Sequence, residues 1–202
     1  MRRVFSTVYQ FKIELLEIKP SIWRTVQIAS TSSFRDLHFA IVDSFGWLDY
    51  HLHDFYIDDP YTGREKLITS LLSEPPEDKI PYYDEVREKV ARYFYEPGIK
   101  ARYDYDFGDD WHHRVIFEKE LPRQGNDMYP RCIDGRHHCP PEDVGGVSGY
   151  AEFLRAMANP RHKEHKSWKT WWGGPFDPDE FNPITVRFRD PVYPQRFIED
   201  YW

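Results

Sequence analysis

The chain has 202 residues, with 27 Lys+Arg against 34 Asp+Glu for a formal net charge of −7, and 17% of its residues are aromatic. That composition excludes intrinsic disorder, collagen-like repeats and coiled coil, and its acidic balance argues against a generic DNA-coating role. Two cysteines are too few for a disulfide scaffold, and no apolar run approaches the ~18 residues of a membrane span.

Met1-Arg2-Arg3 is not followed by an apolar stretch, so a cytoplasmic protein without a membrane partner is expected. From Val8 to Ile18 the chain alternates, with Tyr9, Phe11, Ile13 and Leu15 on one face and Gln10, Lys12 and Glu14 on the other. Lys19-Pro20-Ser21 turns it, and Ile22 to Ile28 returns, which predicts an N-terminal β-hairpin. Ser33 with Asp36 opens a helix whose Phe34, Leu37, Ile41 and Phe45 recur at helical spacing up to Gly46. Alternation resumes from His51 to Ile57, which predicts a strand with His51, His53, Phe55 and Ile57 on one face.

Residues 61–85 are polar and carry Pro75, Pro76 and Pro81, so they read as an elaborated loop. A short helix with Val86, Val90 and Tyr93 as its stripe follows, and Pro97-Gly98 stops it. Ala101 to Phe107 and Trp111 to Phe117 form the clearest hairpin, joined at Gly108-Asp109-Asp110. Residues 121–147 are loop-like, and Ser148 is expected to cap a helix ending at Asn159-Pro160. From about residue 161 the chain is Trp-rich and irregular, with a short extended candidate at 184–188. Residues 1–202 are therefore expected to form one compact α+β domain with antiparallel hairpins and about three helices.

The densest polar constellation is YDYDFGDDWHH, residues 103–113, where Asp104, Asp106, Asp109 and Asp110 meet His112 and His113 around one turn. Carboxylate and imidazole there suit a divalent metal or an acid–base pair, although Asp and Gly also make ordinary turns and Trp111 suits a core anchor. His51 and His53, two apart on a strand, could reach one metal or be hydrogen-bonded within an aromatic core. Cys132, His137 and Cys139 carry zinc-type donors in one short loop, the alternative being two buried thiols. Gly145-Gly146 before a helix reads as a helix-entry turn, since the lysine of a phosphate loop is missing. Lys163, Lys166 and Lys169 interleave with Trp168, Trp171 and Trp172, a pattern that fits single-stranded nucleic acid or a Trp-anchored surface segment.

Several of these features recur together in one family. They are Pro20 and Trp23-Arg24; Phe34 through His38; Gly46-Trp47; His51-Leu52-His53-Asp54-Phe55; and YDYDFGDDWHH. Tyr129-Pro130-Arg131-Cys132, Gly135, Cys139-Pro140-Pro141-Glu142-Asp143, Gly145-Gly146, Gly149-Tyr150, Trp172 and FDPDEF complete the set. In this combination the chain resembles the plasmid pRiA4b ORF-3-like family along essentially its whole length. The resemblance implies a compact α+β domain similar to passenger proteins of plasmids and insertion elements, some bearing a transposon-resolvase-like label. It brings no established reaction and no assigned catalytic residues. Relatives often carry a further Cys where this chain has Val144, which weakens zinc ligation by the Cys132/Cys139 loop.

The expected function is a binding or accessory domain tied to mobile-element biology, without an enzymatic reaction. Its pocket would use His51, His53, Asp106, Asp109, Trp111 and His112, with Glu142 and Asp143 held by the stiff Pro140-Pro141. The first alternative is a metal-dependent hydrolase using the same His and Asp groups with Zn or Mn to activate water. The second is a nucleic-acid-binding accessory protein in recombination or transposition, acting through residues 161–172.

Overall fold

The computed structural model describes residues 5–70, 82–125 and 127–189. Strands β1 (Thr7–Leu15) and β2 (Trp23–Ala29) form the expected hairpin, in register from Val8 opposite Ala29 to Glu14 opposite Trp23. Tyr9, Phe11, Ile13 and Leu15 of β1 are all buried, as the alternation requires. Helix α1 (Phe34–Phe45) begins on a reciprocal Ser33–Asp36 capping box and ends at Gly46, whose φ of +80° suits glycine. Its apolar stripe packs into an aromatic core, with Phe34 edge-on to Phe55 at 5.2 Å and to Tyr93 at 5.4 Å.

Strands β3 (His53–Asp58), β4 (Glu65–Thr69), β5 (Tyr82–Asp84), β6 (Lys100–Tyr105), β7 (Trp111–Pro122) and β8 (Arg131–Arg136) complete one sheet. The order is β5-β4-β3-β6-β7-β1-β2-β8, antiparallel throughout except for the parallel β4–β5 pair. A one-turn helix α2 (Val90–Tyr93) precedes β6, and helices α3 (Gly146–Ala158) and α4 (His165–Trp172) follow β8. The described residues thus form an α+β fold with four α-helices.

Four local expectations need correction. The supposed loops at 61–85 and 121–147 contain β4, β5 and β8, although 71–81 and the three prolines there lie outside the described residues. β8 carries no period-2 pattern. It exists because it pairs with the free edge of β2 and joins a ladder of side chains across that face. In this ladder Gln10 donates to Glu118, Gln27 to Gln10 and Arg131 to Gln27, each at 2.8 Å.

Helix α3 starts at Gly146, with Gly145 rather than Ser148 at its N-cap. Residues 165–172 are helical and not irregular, because Trp168 packs edge-on to Phe153 of α3 at 5.4 Å and Trp172 packs on Phe176 at 5.3 Å. The extended candidate at 184–188 instead opens with a 3-10 turn, Pro183–Thr185, capped by the Asn182 side chain.

Candidate functional site

Three motif-bearing loops meet at one end of the sheet. The first leads from α1 into β3. The second is the 106–110 turn closing β6 onto β7, where Tyr105 pairs with Trp111. The third is the stiff Pro140–Gly145 segment. In the turn, Asp106 and Asp110 occupy the left-handed region at φ +58° each, while Gly108 does not. Asp106 Oδ1 accepts from the backbone N–H groups of Gly108 (2.9 Å) and Asp109 (3.3 Å), so its carboxylate builds the turn.

The loops interlock through specific side chains. Tyr105 Oη donates to Glu142, whose other oxygen accepts from the Leu48 N–H at 2.7 Å. Burial and then the Glu142 carboxylate hold the Tyr105 hydroxyl far above the ordinary tyrosine pKa, so it stays a donor. Trp47 Nε1 donates to the Pro140 carbonyl at 2.9 Å, and Asp109 Oδ2 accepts from the Gly145 N–H at 3.0 Å. Gly146 sits at φ +66° with its α-carbon against the turn, and a Cβ there would overlap the Asp109 carbonyl oxygen. Gly146→Ala is therefore expected to lower stability by about 2–3 kcal/mol, read by urea unfolding. A loss below half of that would show that the two loops can part without cost.

At this junction His51 meets Asp106 and Asp143. Its Nδ1 lies 3.5 Å from Asp106 Oδ1, and its Nε2 lies 3.1 Å from Asp143 Oδ1. One donor atom from each of the three residues falls within 4.8 Å of the other two, the only such His/Cys/Asp/Glu group among the described residues.

Beside the junction, a cavity of about 380 Å³ opens between α1, the 49–53 segment and the 84–86 turn, lined by both His51 and His53. Inside it the His53 and His38 rings stack face to face, 3.4 Å between centroids and 5° between planes. Each imidazole has its own carboxylate: His53 Nε2 is 2.6 Å from Glu85, and His38 Nε2 is 2.8 Å from Asp49. A carboxylate accepts, so each ring donates from Nε2, and the Tyr103 hydroxyl donates to His38 Nδ1 at 2.8 Å.

Burial, followed by the neighbouring His53, pushes the His38 pKa down to about 4, so this ring is neutral at pH 7. Burial alone would raise Glu85, but its hydrogen bond and attraction to His53 leave it below the usual range. Asp49 is held from its other side by Arg189, which donates to it at 2.8 Å and to Asp43 at 2.7 Å.

The structure divides the sequence-predicted pocket. His51, Asp106 and Asp143 converge, with Asp109 and Glu142 fastening the loops around them. His53 lines the adjoining cavity. His51 precedes β3, so it does not share a strand face with His53 as the alternation implied. Trp111 is buried in the core, stacked 6.2 Å from Trp47. His112 does not join the pocket either. Strand alternation sets it on the face opposite Trp111 and His113, where it pairs with Asp104 at 2.8 Å and approaches Asp110 at 3.3 Å. The Asp104 hydrogen bond raises its pKa.

Cys132, His137 and Cys139 do not assemble a metal centre. Cys139 Sγ accepts from the Arg24 guanidinium, His137 Nδ1 bonds Asp179 at 2.9 Å, and Cys132 donates to the Asp134 carbonyl. Burial raises both thiols, to about 11 for Cys132 and about 12 for Cys139, and a cation cannot share the face that the guanidinium occupies. Lys163, Lys166 and Lys169 are exposed, while Trp168 and Trp172 are engaged in packing α4.

Sequence reasoning missed His38, Glu85, Asp49 and Arg189. Only His38 left a signal, a polar residue beside Leu37 on the buried side of a strongly apolar helix.

An eight-stranded α+β domain with its motif residues gathered at one loop junction is the class these observations define. The chain belongs to the plasmid pRiA4b ORF-3-like family, whose profile matches residues 7–185. The uncharacterized protein y4hQ of Sinorhizobium fredii (strain NBRC 101917 / NGR234) is 32% identical over 170 residues, which is 83% of this chain and 82% of the relative. A crystal structure of a protein of unknown function, MM3350 from Methanosarcina mazei Go1, is similar at a TM-score of 0.82 and 38% identity. That match covers 92% of this chain and 100% of the other. No helix among the described residues is long and apolar enough to cross a membrane.

Proposed function

We propose that the chain is a binding or accessory domain whose working surface is the cavity between α1 and the 49–53 segment, with the loop junction as its mouth. The observation that carries this reading is the stacked His38–His53 pair, two imidazoles each fixed by a carboxylate along one cavity. Buried polar groups are costly unless bonded, and a core needs no such arrangement to fold. The volume falls within the roughly 300–1,000 Å³ of small-molecule sites. Phe39, Leu52 and Val86 supply apolar wall, while Arg35, His51 and His53 supply polar groups, which suits a small, flat ligand carrying hydrogen-bonding atoms. An association with plasmid and mobile-element biology belongs to the proposal and rests on the family's description.

A fragment library screened by NMR tests it. Bound fragments should shift the signals of Leu52, His53 and Val86, and the shifts should vanish in His53→Ala. Fragments that bind only elsewhere, or none at millimolar concentration, would refute the cavity as the working surface.

A metal-dependent hydrolase is the second reading, and the observation favouring it is the His53–Glu85 pair. A buried carboxylate 2.6 Å from one imidazole nitrogen fixes the ring's orientation, the carboxylate–imidazole pairing that a general base uses.

A further inference from the structure

We propose that His51, Asp106 and Asp143 form a site for one divalent transition-metal cation, of the Mn2+ or Zn2+ type, at the mouth of the cavity. The site stands independently of what occupies the cavity itself.

The first ground is convergence. The three residues come from three separate loops, and their donor atoms lie within 4.8 Å of one another. Ligand atoms around a cation at about 2.1 Å stand roughly 3–3.5 Å apart, so small side-chain rotations close the set. The loops themselves are fixed by the Tyr105–Glu142, Leu48–Glu142 and Gly145–Asp109 hydrogen bonds, so the site is held by the fold and not by its own ligands.

The second ground is the state of His51. Its simplest bland role is an imidazolium bridging two aspartates through two hydrogen bonds. Both aspartates are within ion-pair distance, but the hydrogen bonds of that role are not formed. Nδ1 is 3.5 Å from Asp106, too long for a good hydrogen bond. Nε2 is buried and has no hydrogen-bond partner among the described residues, although Asp143 Oδ1 is 3.1 Å away, because that oxygen is not aligned with an N–H. An imidazole set between two carboxylates without an aligned hydrogen bond to either is placed as a fellow ligand of one cation would be.

The third ground is charge. Among the described residues, neither Asp106 nor Asp143 is ion-paired to a lysine or arginine, and His51 is the one basic group facing both. Two carboxylates set together without a cation repel, and a bound divalent ion cancels that repulsion.

The donor set fixes the ion's class. One imidazole with two carboxylates is harder than a thiolate site and more nitrogen-rich than the all-oxygen cages of calcium or magnesium, which favours Mn2+ or Zn2+. Three protein ligands leave coordination positions for water or for an oxygen of a ligand in the cavity, since His51 also lines it.

The test uses tag-free protein stripped with a chelator, then titrated with Mn2+ alone by electron paramagnetic resonance and with Zn2+ alone by calorimetry. One ion per chain is expected for at least one of the two metals. Outer-shell partners alone are worth about 10–100-fold in affinity, so His51→Ala and Asp143→Asn should each weaken binding by more than about a hundredfold. Asparagine tolerates the left-handed backbone of position 143 (φ +59°), so Asp143→Asn removes charge without disturbing the loop, and it decides the matter should His51→Ala fail to fold. His112→Ala, which alters the separate His112–Asp104–Asp110 cluster, should bind as wild type does. No stoichiometric binding of either ion at millimolar concentration would overturn the proposal. So would binding undiminished in Asp143→Asn, which would mark an adventitious surface ion.

Discussion

Arg24→Met is expected to lower stability by about 3–5 kcal/mol, and the melting temperature by roughly 6–20 °C. Arg24 lies on β2 and is 2% exposed, yet it faces no carboxylate among the described residues. Its donors go instead to the carbonyls of Ser44 (2.9 Å), Trp23 (2.8 Å), Arg136 (3.0 Å) and His137 (2.8 Å), and to Cys139 Sγ. Ser44 lies in the last turn of α1, which holds no basic residue of its own, so Arg24 satisfies a helix-end carbonyl from a neighbouring strand.

The guanidinium face stacks on Phe181 at 3.6 Å, and that ring lies so close to Gly135 that no side chain fits there. Methionine would fill much of the volume while stranding four carbonyls, each costing about 1–3 kcal/mol if left dry. Arg24→Lys should recover little, because an ammonium cannot reproduce the planar fork. Recovery by lysine to within about 1 kcal/mol in urea unfolding would show that charge, and not geometry, is what matters.

Acidification should destabilise the fold by about 4–6 kcal/mol between pH 7 and pH 4.5. The largest contributions come from two buried imidazoles. Burial pushes His38 down to about 4, and burial pushes His113 down to about 3. In the unfolded chain both titrate near 6.5, so below that pH the unfolded state takes up protons that the native state refuses. Their stabilisation is complete above pH 6.5 and drains away as the pH falls towards 4 and 3.

The lowered Asp49 and Glu85 act in the same direction at lower pH, while Asp43 and Asp54, raised chiefly by burial, oppose it. His113 is enclosed by Phe45, Trp47 and Tyr103, and its Nε2 has no hydrogen-bond partner among the described residues. In His113→Phe the loss between pH 7 and 4.5 should shrink by about half. Urea unfolding across this range decides it, and an unchanged slope in that variant would remove His113 from the account.

The N-terminal hairpin, helix α1 with both caps, the β6–β7 hairpin and helix α3 were legible because each carries its own local pattern: alternation, a capping box or an i, i+3, i+4 stripe. Strand β8 carries none, and helix α4 carries only the short Trp168, Trp171, Trp172 spacing, which fits a Trp-anchored surface segment as well as a helix. Arg131–Arg136 is a strand because β2 offers an unpaired edge, and His165–Trp172 is a helix because α3 offers an apolar face. Both are decided by partners distant in sequence.

The aromatic excess, the acidic balance and the motif residues are properties of the sequence by itself, and they picked out His51, Asp106 and Asp143 as candidates while placing the first two on strands that the fold ends one or two residues short of them. Only the tertiary structure decided which of these meet. Period-2 alternation says which way a side chain points, not what stands opposite, so His53 joined His38 and Glu85 while His112 turned to the other face. The single-residue signals of Asp49, Glu85 and Arg189 were absent because their roles depend on contacts spanning 11, 32 and 146 positions, which no local pattern encodes.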